Sequence, residues 1–323
     1  MAESKEMDIL RNTGDAAADE LMALLFEKYQ HKMGAMLMPI LHNFNKTDYN
    51  TLDENIVVFF KENSTLPAWY NIKETIRATD YYTRNQQAIG VVLGCYSLPY
   101  CYLGEDGARV LGFSGRIKKD TYNRLKETGQ YLRKVMNYDH WESGVVFEII
   151  LKVRLLHAFW RFMVLKSDKW DSSWGVPINQ EDLLGTNLAF SLIVLRGLKK
   201  LGHSVDQAYE KAYLHHWAVI GHVLGLCPDL MVFNIKDAIK MDKVIAQRQF
   251  KTSEIGQELT HSLMNAYTEA TGSKLASEFF KSQSRFLLGE KYANWLGIPE
   301  SSFPLSVLHA FNKTSSFMSN IYA

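Results

Sequence analysis

Residues 145–165 read VVFEIILKVRLLHAFWRFMVL, a helix-length run whose charged positions are spaced at helical intervals. Arg154, His157 and Arg161 follow one another at spacings of three and four, which puts all three on one stripe of a helix. Nearly every other side chain from Val153 to Leu165 is apolar on all sides, so the helix is expected to be buried. A buried guanidinium or imidazole must be paired, because an unpaired interior charge costs several kcal/mol. A metal centre carrying two carboxylates would satisfy all three groups, with imidazole on iron and guanidinium on propionate. Haem b has that chemistry. The protein's own carboxylates are the alternative, and Glu148 or Asp182 could serve.

Composition narrows the function classes. The 323 residues are 47% hydrophobic, enough for one large core or two small ones. Lys plus Arg total 36 and Asp plus Glu 35, so no bulk field draws in nucleic acid. Cys95, Cys101 and Cys227 form neither a disulfide framework nor a CxxC metal pair, and they fit a reducing compartment. The N-terminal MAESKEMDILRNTGDAAADE is polar and lacks the apolar core of a signal peptide. The most apolar run, 145–165, holds Glu148, Lys152, Arg154, His157 and Arg161, which argues against a transmembrane segment. A soluble, cytoplasmic protein is expected.

The periodicity is helical nearly throughout. Helices are predicted over Asp15 to about Asn43, Ile72 to Leu98 (ended or kinked by Pro99), Ala108 to Gly112, and Thr121 to Val135. After the buried run comes a loop, KWDSSWGVPINQED, and Asn179 is placed to cap a helix running to Leu201, with Gly202 as its stop. Ser204 and Gln207 read as a capping box for Val205 to about Gly225. Helices over Ile235–Phe250, Glu254–Thr271 and Lys274–Leu296 complete the chain. With no repeat or linker, the expectation is an all-α fold, one globular helical domain over residues 1–323.

Other chemistry is weakly signalled. His215 and His222 lie two helical turns apart, a possible metal pair or simply a partly exposed face. A di-iron site needs two Glu-x-x-His motifs on separate helices, and only Glu258–His261 is present. Neither GxSxG, HExxH, a phosphate-binding glycine loop nor GxGxxG occurs, which removes the signatures of hydrolases, kinases and dinucleotide enzymes.

Longer strings carry more weight. RLKET (Arg124–Thr128), VRLLHAFWR (Val153–Arg161) and WGVPINQEDLLGTNLAFS (Trp174–Ser191) stand in this order, with LPAWYN and SLPYCYLGEDGARVLGFSGR upstream and HHWAVIGHVLGL downstream. Over roughly residues 66–226 the chain resembles the catalytic domain shared by latex-clearing proteins (rubber oxygenases) and MpaB-type oxygenases. The resemblance implies a helical fold enclosing one b-type haem. It implies His157 as the proximal iron ligand, Arg154 and Arg161 as the cofactor-binding arginines beside it, and Arg124 and Thr128 as distal residues. Latex-clearing proteins carry a lysine immediately before that threonine, able to bind iron in a closed resting state. Here the residue is Glu127, a poor substitute for an amine ligand. Those relatives are also exported, so extracellular polyisoprene is not the expected substrate.

The expectation is therefore a haem-dependent oxygenase. Its substrates would be dioxygen and an apolar, olefinic small molecule or lipid, with Arg124, Glu127 and Thr128 as catalytic residues. Oxidative C=C cleavage is the reaction the resemblance suggests. A non-catalytic haem sensor or carrier on the same scaffold is the alternative.

Overall fold

A computed structural model describes residues 4–43, 47–113, 121–304, 306–308 and 310–312. The described residues are predominantly helical and contain no β-strand, so the all-α expectation holds. The early helices are α1 (Ser4–Arg11), α2 (Ala16–Tyr29), α3 (Met33–Leu41), α4 (Glu54–Asn63), α5 (Ile72–Val92), α6 (Leu98–Tyr102), α7 (Glu105–Phe113) and α8 (Thr121–Val135). Then come α9 (Tyr138–Glu142), α10 (Val145–Leu165), α11 (Gln180–Phe190), α12 (Leu192–Lys200) and α13 (Gln207–Val223). The last are α14 (Ile235–Gln249), α15 (Glu254–Thr271), α16 (Lys274–Leu288) and α17 (Glu290–Trp295). The end of the SLPYCYLGEDGARVLGFSGR string, from Ser114 to Arg116, falls outside the described residues.

The chain forms two compact units. One gathers Met1–Ile72, Glu127–Leu184 and Ala218–Met231; the other gathers Lys73–Lys126, Gly185–Trp217 and Val232–Ala323. In the first, α10 is the central element, with α2, α3, α4 and α9 packed around it. In the second, α15 and α16 pack against a widened turn, Leu93–Ser97, and against α6.

Several helices are shorter than their apolar periods, each for a local reason. The run expected from Asp15 to Asn43 breaks at Gln30, whose φ of +49° no α-helix accommodates. The run ending near Pro99 passes through a π-helical turn at Leu93–Ser97. That widening lies where Pro99, lacking an N–H, cannot bond the carbonyl of Cys95 four residues back. The helix expected from Asn179 to Leu201 divides at Ser191, whose Oγ donates to the Asn187 carbonyl at 2.8 Å. Asn179 is the cap, its Oδ1 accepting from Asp182 N at 3.0 Å. The cap of α13 is a correction: Asp206, not Ser204, accepts from the helix, from Tyr209 N at 2.8 Å. The last long run divides at Gly289, φ +81°.

Candidate functional site

The helix α10 spans Val145–Leu165 as the apolar run predicts, and most of it is buried, though Val145, Met163 and Leu165 at its edges are exposed. At about 100° per residue, Arg161 returns to the face of Arg154 while His157 is turned about 60° away. His157 is half-buried, with its Nδ1 sealed from solvent and without a hydrogen-bond partner among the described residues. Burial pushes its pKa down to about 4; the Arg161 charge adds to this and Asp15 opposes it. At physiological pH the ring is neutral and keeps a nitrogen lone pair for a metal.

The arginines find carboxylates, as burial demands, but neither expected candidate supplies them. Arg154 grips Asp15 with two bonds, Nε to Oδ2 at 2.6 Å and Nη2 to Oδ1 at 2.8 Å. Its Nη1 donates to Asn63 Oδ1 at 3.0 Å, and the guanidinium lies 5.3 Å from the Phe59 ring centre. Arg161, only 2% exposed, pairs with Asp19 and donates to the carbonyls of Pro177 at 3.0 Å and Ile178 at 2.8 Å. Ile178 holds a φ of +52°, costly for a β-branched residue, at the turn that presents those carbonyls. The carboxylates expected here are engaged elsewhere. Glu148 pairs with Lys152 at 2.8 Å, and Asp182 with Arg11 at 2.5 Å.

This corner is closed by Gln180 of the PINQED string. Its Nε2 donates to the carbonyls of Gly14 at 2.9 Å and Gly225 at 3.0 Å, and its Oε1 accepts from Cys227 N at 2.8 Å. A cleft of about 380 Å³ opens beside it, lined by Asp15, Asn63, Arg154, Gln180, His222 and Cys227 among others. His222 stands edge-on to Trp69, ring centres 6.2 Å apart, and burial together with Arg154 holds its pKa down. Burial and two nearby aspartates push the Cys227 thiol up, so it is no ready nucleophile.

The expected distal residues all lie on α8, half-buried. The boundary between the two compact units falls between Lys126 and Glu127, which leaves Arg124 in one unit and Glu127 and Thr128 in the other. Glu127 Oε2 lies 3.6 Å from His42 Nδ1. Tyr131, one turn beyond Glu127 on the same face, has its hydroxyl sealed from solvent, and burial keeps it protonated. His215 is buried and its pKa lowered by burial. No group of three or more metal-binding side chains occurs among the described residues.

The described residues thus form an all-helical fold in which a half-buried histidine on α10 stands between two carboxylate-paired arginines. The chain belongs to the family described as ER-bound oxygenase mpaB/B'/Rubber oxygenase, catalytic domain, which it matches over residues 104–315. It is 25% identical over 183 residues to the rubber oxygenase of Streptomyces sp. (strain K30), covering 55% of this chain and 45% of that protein. The match thus spans less than half of that relative's length. Its fold is similar to that of a latex clearing protein in the closed state, with a TM-score of 0.82 at 20% identity, over 96% of this chain and 84% of the other. Among the described residues no helix is long and apolar enough to cross a membrane.

Haem can be tested against these residues. The imidazole fits: it is neutral, and its sealed Nδ1 has no protein partner. The arginines sit beside it with their charge already met by Asp15 and Asp19.

Proposed function

We propose that this chain is a haem b-dependent oxygenase acting on dioxygen and an apolar, olefinic small molecule or lipid. The observation that carries this reading is His157, a neutral imidazole with an unpartnered nitrogen, set on a buried helix within the matched catalytic domain. Haem, when bound, supplies the redox chemistry that no side chain offers. His157 would hold it, with Arg154 and Arg161 flanking the ligand histidine on the same helix of the cofactor-binding site. Their guanidinium groups keep that flank of α10 charged but neutral in sum, since each faces an aspartate. The α8 residues Arg124, Glu127 and Thr128 would supply polarity and proton traffic, with Glu127 standing where latex-clearing proteins carry lysine. The olefinic substrate class comes from the rubber oxygenase relative and the family; C=C cleavage is the reaction proposed within it.

The test begins with colour. The purified protein should show a Soret band and consume oxygen with a soluble isoprenoid alkene. His157→Ala should lose both. Full haem content and an unchanged axial-ligand spectrum in His157→Ala would falsify the assignment. Haem without oxygen uptake would leave a carrier or sensor.

A further inference from the structure

The carboxylates that satisfy Arg154 and Arg161 come from a short stretch of chain, Gly14 to Asp19, that precedes the family match beginning at residue 104. Asp15 caps α2 and Asp19 lies four residues on, a spacing that puts both on one face. Along α10 the two arginines follow in the same order, so α2 and α10 run side by side in one direction and are joined by two rungs. The rungs differ in spacing, about 6 Å along α2 and about 10 Å along α10 at 1.5 Å per residue. The long arginine stems take up the difference.

The seat for these rungs is built closely. A Cβ on Gly14 would stand 2.6 Å from Asp19 Oδ2 and 3.2 Å from Arg161 Cδ. One on Gly225 would stand 2.4 Å from Asp15 Oδ2 and 2.7 Å from Arg154 Nε. Gln180 holds both glycine carbonyls at once. Asp19 Oδ2 also accepts from the Asp15 backbone N at 3.1 Å, which holds the Asp19 carboxylate against the start of α2. Upstream, Val176 N donates to the Arg11 carbonyl at 3.0 Å and Gln180 N to that of Thr13 at 2.9 Å, tying the same stretch to the loop after α10. Each of these contacts limits how far α10 can rotate or slide, and His157 moves with α10.

We propose that Asp15 and Asp19 are positioning residues for His157: through Arg154 and Arg161 they fix the height and rotation of α10, and they cancel two positive charges beside the imidazole. The arginines then serve the ligand histidine from behind through protein carboxylates, and an N-terminal stretch outside the matched catalytic segment completes the proximal side. This rests on the reading of His157 as the haem ligand.

The experiment uses the full chain loaded with haem. The variants are Asp15→Asn, Asp19→Asn, the charge exchange Asp19→Arg with Arg161→Asp, and Gly14→Ala. The last keeps every charge and displaces the end of the Asp19 side chain while crowding the Arg161 stem, so it stays informative where a charge-removing variant fails to fold. Two quantities are read: the rate of haem transfer to apomyoglobin, and the iron–histidine stretching band of the ferrous protein. Asp15→Asn and Asp19→Asn should release haem at least about tenfold faster, about 1.4 kcal/mol or more, with a shifted or broadened band. Gly14→Ala should shift the band in the same sense, and the charge exchange should recover part of the loss. Wild-type haem release and band position in the folded variants, with only the melting temperature lowered, would overturn the proposal and leave the pairs a purely structural role. Faster release in Arg154→Ala and Arg161→Ala but not in the aspartate variants would also overturn it, by returning the arginines to the propionates. A wild-type protein lacking a histidine-ligated haem spectrum sinks the underlying reading instead, and that outcome is visible before any variant is made.

Discussion

Gly225→Ala tests the packing around Arg154 most directly. Gly225 has a φ of +86°, and a non-glycine residue in that region costs about 1–2 kcal/mol. The new methyl would also meet Asp15 Oδ2 at 2.4 Å and Arg154 Nε at 2.7 Å, neither of which can move without opening a buried bidentate pair. Losing one partner of such a pair costs roughly 3–5 kcal/mol. Arg154 keeps Asn63 and the Val223 carbonyl, so we take about half of that range. The total expected is about 3–4 kcal/mol. Gly144→Ala is the control: φ is +74° and a Cβ there meets nothing within 4 Å, so only the backbone cost of about 1–2 kcal/mol remains. Urea unfolding followed by tryptophan fluorescence, with m-values checked for constancy, gives both numbers. Equal losses at the two glycines would refute the idea that Gly225 makes room for the pair.

Removing the amide of Gln180 with Gln180→Leu should destabilise by about 2–4 kcal/mol, because two carbonyls and one N–H are left without it in a buried corner; a loss under about 1 kcal/mol counts against the tie. Burial alone would raise the pKa of Asp53, but hydrogen bonds from Lys28, Tyr29 and Asn55 outweigh it and hold it at about 2. With the folded pKa below the unfolded one, its contribution is complete above about pH 4 and fades as pH falls toward 2. Lys28 is half exposed, so the size is about 1–2 kcal/mol, and Asp53→Asn should flatten the acid slope of unfolding; an unchanged slope would count against it. Glu127→Gln should keep haem content and cost at most about 1 kcal/mol, since its contact with His42 is a partly exposed pair at 3.6 Å. Turnover with a changed pH profile would support proton traffic at Glu127, and a wild-type profile would leave it a structural role such as the His42 contact.

The fold was legible where periodicity is long and breaks are chemical. The bounds of α10 and α15 and the end of α8 match the apolar runs, because fifteen or more residues of one period leave little choice. The breaks at Gln30 and Ser191 were not legible. Neither residue is a strong helix breaker by type, and the positive φ of Gln30 and the bond of Ser191 Oγ to the Asn187 carbonyl are visible only in the structure. Asp206 won the cap of α13 from Ser204 because two more residues of loop brought a carboxylate within reach of Tyr209 N.

For the site, the need was readable and the partner was not. A run such as VRLLHAFWR states that two guanidinium groups are buried, and energetics then require acids close by. Glu148 and Asp182 were candidates because they lie near in sequence. Glu148 sits four residues before Lys152 on the same helix, and a lysine one turn away takes it first. Asp182 is met by Arg11, from the far end of the chain. What remained for Arg154 and Arg161 had to come from an element that packs along α10. The signal was present in GDAAADE, two aspartates four apart at a helix start, with the small Ala18 buried between them. Aspartates at such a place are also ordinary caps, as Asp15 is, so spacing alone could not separate a cap from a counter-ion. Only the packing of α2 on α10 makes Asp15 both at once. That double use is why the first turn of α2, rather than the matched catalytic segment alone, sets the surroundings of His157.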